Sequence, residues 1–142
     1  MNDLAGLLVE LGLACQDTIV GCTAAEIEQV RADQGGALPE QYEQFLAVMG
    51  RSAGELLRGT DFFYPSILGL PTDGRELLVE NDATGLLGDG STIIGMHQGY
   101  ELYWLDSAGT LFWYKEGNKT THRDWPSLLA FLEDQARTQA SR

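Results

Sequence analysis

Two histidines, His97 and His122, are the residues of this sequence whose type is best suited to acid–base catalysis near neutral pH. No cysteine lies near either histidine, and no H-E-x-x-H segment would place two histidines on one helix face to bind zinc. A lone histidine in a predicted strand is more often structural than catalytic. We therefore expect no histidine-based catalytic site, no metal site and no cofactor.

The carboxylates Glu101 and Asp106 are close enough in sequence to suggest a glycosidase-like pair, whose members must flank one bond. They lie five positions apart, so a regular strand directs them to opposite faces. The glycine-rich stretch at 85–90 precedes Ser91 without a lysine, which indicates a turn and not a phosphate-binding loop. Ser66 and Ser107 lack a G-x-S-x-G setting. The sequence thus predicts no enzyme, with hydrolase activity as the residual alternative.

The charge of the chain indicates the kind of partner it can bind. With 142 residues, 44% of them hydrophobic, the chain fits one domain with a sufficient core. Its formal net charge is −12 at pH 7. Such a surface repels nucleic-acid phosphate and anionic lipid, and it attracts basic proteins. We expect a protein partner and neither nucleic acid nor membrane, although acidity alone also keeps a protein soluble.

The cellular compartment is predicted from the cysteines and from the absence of targeting patterns. Cys15 and Cys22 are the only cysteines, and their spacing matches neither a zinc site nor a redox motif. The first residues lack the positive region of a signal peptide, and no apolar run approaches the roughly 18 residues of a membrane span. We expect a cytoplasmic protein, and the sequence leaves a monomer and a weak dimer both open.

The elements that position these side chains begin with two helices. Leucines at i, i+3, i+4 and i+7 near the N-terminus predict a first helix that ends at Gly12. Thr23 and Glu26 match a capping box, in which each side chain accepts a hydrogen bond from a backbone N–H that the helix leaves free. This box predicts the start of a second helix, which Gly35-Gly36 ends.

Two further helices are predicted before the strands. Pro39 fits the first position of a third helix, because the missing N–H has no helical partner there. Gly50 is placed for a left-handed cap at its end. A short fourth helix is predicted from Asp73 toward Asn81, with Asp73 and Glu76 as a second capping box.

The second half of the sequence predicts strands. The segments 92–97, 100–105 and 110–115 are rich in β-branched and aromatic residues, and turn residues separate them. Asp124 is predicted to cap a last helix whose apolar spacing begins at Trp125. The predicted fold is a single α+β domain, in which an antiparallel meander packs with N-terminal helices and a closing C-terminal helix.

The aromatic side chains of the strands are candidate interface residues. Because successive residues of a strand point to opposite faces, helices on one face leave part of the aromatic set on the other. Tyrosine and tryptophan are frequent anchors of protein interfaces, and acidic residues would form the rim. Core packing and solvated helix surface are the alternatives for each residue. The candidate partner-binding residues are Tyr103 and Trp113, with Glu76, Glu80, Asp82, Asp89 and Glu101.

Four parts of the chain together resemble one protein family. The segment 38–50, with the sequence LPEQYEQFLAVMG, is similar to the "LP-x-x-Y-x-x-F-L" helix of the SUKH superfamily. Gly95 with the segment 99–106 resembles the glycine-marked strand of that superfamily, which ends in Leu-Asp. Phe112-Trp113-Tyr114 and the segment 125–132 resemble its next strand and closing helix. The superfamily contains bacterial immunity proteins and the yeast regulators of cell-wall assembly.

The resemblance implies a noncatalytic role. Many bacterial members are thought to neutralise a toxin by binding it, so the partner would be a toxin domain, and the acidic charge favours a basic one. The implied organisation is a helical extension at 1–22, a SUKH-like domain at 23–137 and a disordered tail at 138–142. Two alternatives remain: a regulatory or scaffolding module that binds several cytosolic proteins, and a small-ligand sensor with a pocket between the sheet and the helix at 38–50.

Overall fold

The computed structural model describes the whole chain, residues 1–142. In chain order the elements are α1 (Asn2–Glu10), β1 (Ile19–Val20), α2 (Ala24–Gln34), α3 (Glu40–Met49), β2 (Ser52–Ala53), α4 (Leu70–Glu80), β3 (Thr92–His97), β4 (Glu101–Leu105), β5 (Leu111–Lys115), β6 (Arg123–Trp125) and α5 (Leu128–Ala140). The order confirms the predicted α+β fold. No helix combines the length and the apolar character needed to span a bilayer.

The strands β3 to β6 form one antiparallel sheet in sequential order, and β1 pairs with β2 separately. Tyr103 lies opposite Trp113 in the register of β4 and β5, so both project from what we call the first face of the sheet. Leu102 lies opposite Tyr114, and with Trp104 these side chains project from the second face. The register therefore sorts the aromatic residues of the meander into two sets.

Helices cover both faces of the sheet. On the first face, Phe131 of α5 packs edge-on against the Trp125 ring, with the ring centroids 4.8 Å apart. On the second face, Gly74 of α4 packs so closely that a Cβ at this glycine would lie 2.9 Å from Leu102 Cδ1. The expectation that helices cover one face only is therefore wrong. Trp104 is 1% exposed and Tyr103 is 8% exposed.

Local signals correctly predicted the start and end of α2. The Thr23 hydroxyl accepts the Glu26 backbone N–H at 3.2 Å, and the Glu26 carboxylate accepts the Thr23 backbone N–H at 2.9 Å. This reciprocal pair is the predicted capping box. Gly35 follows the helix with φ +84°, a conformation that glycine adopts without steric cost. Both signals involve only neighbours in sequence, which is why the sequence alone reveals them.

Other predicted helix ends differ from the structure. Asp73 starts no helix: α4 begins three residues earlier, where Pro71 fits the first turn, and no side chain caps it. Gly50 has φ −63° and is right-handed, so the prediction of a left-handed cap is wrong. The reason for a glycine at position 50 is space, because a Cβ there would lie 2.5 Å from Cys22 Sγ.

The last helix begins later than predicted and extends further. Asp124 lies in β6, and the cap of α5 is Ser127, whose hydroxyl accepts the Ala130 backbone N–H at 3.1 Å. Trp125 is extended because the residue before a proline is disfavoured in helical conformation, and Pro126 follows it. The helix continues to Ala140, so residues 138–140 are helical, whereas the sequence predicted a disordered tail there.

An ion pair joins α2 to the segment after α3. The Arg51 guanidinium donates two hydrogen bonds to the Glu26 carboxylate, one of them from Nε to Oε1 at 2.9 Å. These bonds, followed by the bond from the Thr23 N–H, lower the pKa of Glu26 to about 2. A carboxyl group whose pKa is lower in the folded than in the unfolded chain stabilises the fold above the unfolded value and loses that contribution in acid.

We expect the stability of the native chain to fall between about pH 4.3, the ordinary pKa of glutamate, and about pH 2. The variant Glu26→Gln should be less stable at pH 7 and should show a flatter profile across this window. Urea unfolding at a series of pH values measures both. Glu40→Gln, at an exposed position without an ion pair, is the control. Parallel profiles for the native chain and Glu26→Gln would contradict the expectation.

Candidate functional site

A cavity of about 350 Å³ lies between the first face of the sheet, α5 and the segment 57–60, and we call it the α5 cavity. Its volume falls within the range of roughly 300–1,000 Å³ that ligand sites occupy. Five aromatic and aliphatic side chains form part of its wall, and polar side chains form the rest. The residues that line it are Leu57, Arg58, Thr60, His97, Glu101, Tyr103, Trp113, Trp125, Phe131, Gln135, Gln139 and Arg142.

Adjacent aromatic rings form the floor of the α5 cavity. The rings of Tyr103 and Trp113 are nearly parallel, with centroids 6.1 Å apart, because the two residues lie opposite each other in adjacent strands. The Trp113 and Trp125 centroids are 6.3 Å apart. Phe131 closes the row from α5. Aromatic residues in such contact give a rigid surface that loses little conformational entropy when it binds.

Glu101 contributes the only carboxylate among the side chains that line the cavity. Its side chain is 13% exposed, and its Oε1 accepts a hydrogen bond from Trp113 Nε1 at 3.0 Å. Its Oε2 lies 3.9 Å from His97 Nε2, too far for a hydrogen bond. Burial, together with the charge of Glu101, raises the pKa of the Tyr103 hydroxyl, so that this hydroxyl stays protonated.

His97 links the cavity wall to the segment 57–60. Its Nδ1 lies 2.9 Å from the Thr60 hydroxyl oxygen, and which atom carries the proton depends on the imidazole tautomer. Thr60, His97 and Glu101 therefore lie in the order hydroxyl, imidazole, carboxylate. The gap of 3.9 Å leaves the carboxylate without the contact that orients the imidazole in a catalytic triad. No three histidine, cysteine or acidic side chains lie close enough together to hold a metal ion.

The wall opposite the sheet is held by Gln139 of α5. Its side-chain oxygen accepts the Leu57 backbone N–H at 3.2 Å, and its amide donates to the Glu55 carbonyl at 2.5 Å. These bonds fix Leu57 at φ +54°, a conformation that is strained for a bulky residue. At the mouth, Arg58 is 76% exposed and pairs with the Glu55 carboxylate at 2.7 Å.

The structure brings three of the predicted site residues together and separates the others from them. Glu101, Tyr103 and Trp113 all line the α5 cavity. The helix α4, which carries Glu76 and Glu80, packs on the second face of the sheet, and both side chains are exposed.

The remaining two acidic candidates lie in loops. Asp82 is exposed just beyond α4, at a positive φ of 55°. Asp89 is exposed in the loop before β3. The five acidic residues thus do not form one rim around the aromatic pair, because α4 and the cavity lie on opposite faces of the sheet.

Several residues that line the α5 cavity were not among the predicted site residues. Phe131, Gln135 and Gln139 recur four residues apart and share one helix face, and this spacing is a signal that the sequence does contain. The pocket expected between the sheet and the helix at 38–50 is largely filled, since Phe45 and its neighbours on α3 are fully buried. Only a depression of about 290 Å³ lies between Pro39 and the β4–β5 turn, and no aromatic residue lines it.

Comparison with known protein families gives one match. The sequence model of the SMI1 / KNR4 family (SUKH-1) matches residues 21–134, which is more than half of the chain. The match includes α2 to α4, the four-stranded sheet and the first half of α5. No curated protein matches the chain significantly.

Proposed function

Because this chain belongs to the SMI1 / KNR4 family (SUKH-1), we propose that it is a noncatalytic protein-binding domain that neutralises a cognate toxin by occluding the toxin's active site. Family membership supports an immunity-like or regulatory role. The observation that carries the proposal is the α5 cavity, where the adjacent rings of Tyr103, Trp113 and Trp125 lie within a ring of charged and polar side chains. Protein interfaces concentrate their affinity in aromatic anchors of this kind, surrounded by polar residues that exclude water.

The net charge supports a basic partner. A surface with a formal charge of −12 raises the association rate of a cationic protein, and salt weakens this steering. A toxin that acts on nucleic acid needs a basic substrate groove, which an acidic protein can cover. Glu76, Glu80 and Asp82 are exposed on the far side of the sheet, so they contribute to the long-range field and not to contacts at the cavity.

The experiment that tests the proposal is co-expression. We expect cells that produce the cognate toxin domain, identified by pull-down from a lysate of the source organism, to grow when this chain is present and to die when it is absent. Purified chain should inhibit the purified toxin at a ratio of one to one. A toxin that kills cells despite abundant folded chain would contradict neutralisation. Several weakly bound partners without rescue would instead support the regulatory or scaffolding alternative.

Hydrolysis is the second candidate function, because Thr60, His97 and Glu101 lie in the order that a nucleophile, a base and a carboxylate take in hydrolases. The variant His97→Gln separates the two functions in the same experiment. Under the binding proposal it retains rescue and its inhibition constant changes about threefold at most, since a polar side chain of similar length replaces the ring. Because His97 also lines the binding cavity, only a loss of rescue by correctly folded His97→Gln with unchanged affinity for the toxin would favour the hydrolytic function.

A further inference from the structure

The carboxylate of Glu101 has an unusual environment for a charged group. Its side chain is 13% exposed, yet the only hydrogen bond it accepts comes from the neutral indole of Trp113. Carboxylates buried to this degree are normally paired with a cation or hold several hydrogen bonds. Lys115 lies directly opposite Glu101 in the β4–β5 register but forms no ion pair with it. Its ammonium lies over the Trp113 ring instead, 4.6 Å from the centroid.

We infer that the α5 cavity receives the guanidinium group of an arginine side chain from the protein partner, with Glu101 as its counter-ion. The inference rests on the proposed function, since it names the group by which that partner is recognised. The Oε2 atom of Glu101 accepts no hydrogen bond within the chain, so it is free to accept one from the guanidinium. Hydrogen bonds between a guanidinium and a carboxylate are among the strongest in proteins.

The aromatic floor favours a planar cation. Two cations of the chain already lie over rings of this floor, Lys115 over Trp113 and Arg123 over Trp125, the latter 4.4 Å from the centroid. These contacts show that the rings accept positive charge on their faces. A guanidinium stacks on aromatic rings more readily than an ammonium does, because it is flat and weakly hydrated. The site therefore suits arginine better than lysine.

The cations at the mouth of the cavity do not oppose this occupant. Arg58 is 76% exposed, and its charge is balanced by Glu55 at 2.7 Å. Arg142 is also exposed and lies at the rim. Both can donate to backbone carbonyls of the partner on either side of the inserted side chain, while Glu101 lies deeper. An arginine within a polypeptide can therefore pair with Glu101 through its guanidinium and with Arg58 and Arg142 through the neighbouring backbone carbonyls. The net charge of −12 favours a basic partner.

The test titrates N-acetyl-arginine amide into the isolated full chain and follows the indole N–H signals of the three tryptophans by NMR. We expect saturable shifts for Trp113 and Trp125, which line the cavity, and none for Trp104 on the second face. N-acetyl-citrulline amide has the same shape without the charge and should bind at least tenfold more weakly. No saturable shift, or equal binding of the two compounds, would overturn the inference.

Variants make the test specific to Glu101. Glu101→Gln keeps the size of the side chain and should weaken arginine binding about tenfold or more, because it removes a charged hydrogen bond. Glu80→Gln, on exposed α4, should bind like the native chain. Unchanged binding by Glu101→Gln with a native thermal midpoint would refute the assignment. Rescue in co-expression without arginine binding would remove only this inference, and arginine binding without rescue would remove only the toxin role.

Discussion

Replacement of Trp113 by alanine should weaken binding of the toxin partner by about thirtyfold or more, which is the effect of losing a central aromatic anchor. Trp113 lies in the middle of the cavity floor, between the rings of Tyr103 and Trp125, and its indole N–H holds the Glu101 carboxylate. Alanine removes the ring and leaves that carboxylate without its only donor. Isothermal titration with the purified toxin domain measures the loss, and rescue in co-expression should fall with it.

The next residue along β5 provides the matched control. Phe112 is half-buried like Trp113 but projects from the second face, where it stacks on Trp104 with centroids 5.8 Å apart. Phe112→Ala should therefore leave the affinity within about threefold, provided that both variants fold as judged by circular dichroism. The milder variant Trp113→Phe should fall between them, since it keeps a ring and loses the N–H. A loss of binding by Phe112→Ala alone would place the interface on the second face, beside Glu76 and Glu80.

The local elements of this fold could be predicted from sequence because their signals are local. The capping box of Thr23 and Glu26 and the left-handed Gly35 define α2 through contacts within four residues. Strand β3 has the predicted bounds, and β4 and β5 each begin one residue later than predicted. β-Branched and aromatic residues with turn residues between them specify such a meander without reference to the rest of the chain.

The predictions that proved wrong concern features that depend on contacts between distant parts of the chain. Nothing local reveals that α4 covers the second face, because the fit of Gly74 against Leu102 joins segments almost thirty residues apart in the sequence. Gly50 is a second example. The sequence shows a glycine after a helix, but only the folded chain shows that the missing side chain leaves room for Cys22. Whether an aromatic residue of the sheet is exposed depends on this packing between distant segments. It does not follow from the alternation of side chains along a strand.

The candidate site was predictable only where it depends on the alternation of side chains within a strand. Strand alternation places Glu101 and Tyr103 on one face, and the structure adds Trp113 through the register of β5. The other wall comes from Thr60 and Gln139, which no sequence motif connects to the sheet. A cavity built from three separate segments is a tertiary feature, so its individual aromatic residues were visible in the sequence and its shape was not.

The closest backbone approach at a glycine of this fold lies at Gly21, and substitution there should have the largest effect on stability. A Cβ at position 21 would lie 1.9 Å from the carbonyl oxygen of Ala47, a contact with backbone that no side-chain rotation relieves. The segment is held against the end of α3 by the hydrogen bond from the Cys22 N–H to the Leu46 carbonyl, at 2.8 Å. Arg51 N–H donates to the Val20 carbonyl at 2.9 Å on the same stretch.

Gly21→Ala should therefore lower the free energy of unfolding by about 3 kcal/mol or more, because overpacking costs about 1–3 kcal/mol and the strained hydrogen bonds add about 1 kcal/mol each. Against a typical total of about 5–15 kcal/mol, this loss removes about a fifth to more than half of the stability. Urea unfolding measures it. Gly36→Ala is the matched control, because a Cβ there meets nothing within 4 Å and should change stability by about 1 kcal/mol at most. Equal stability of the two variants would mean that the β1–α3 junction is looser than its hydrogen bonds indicate.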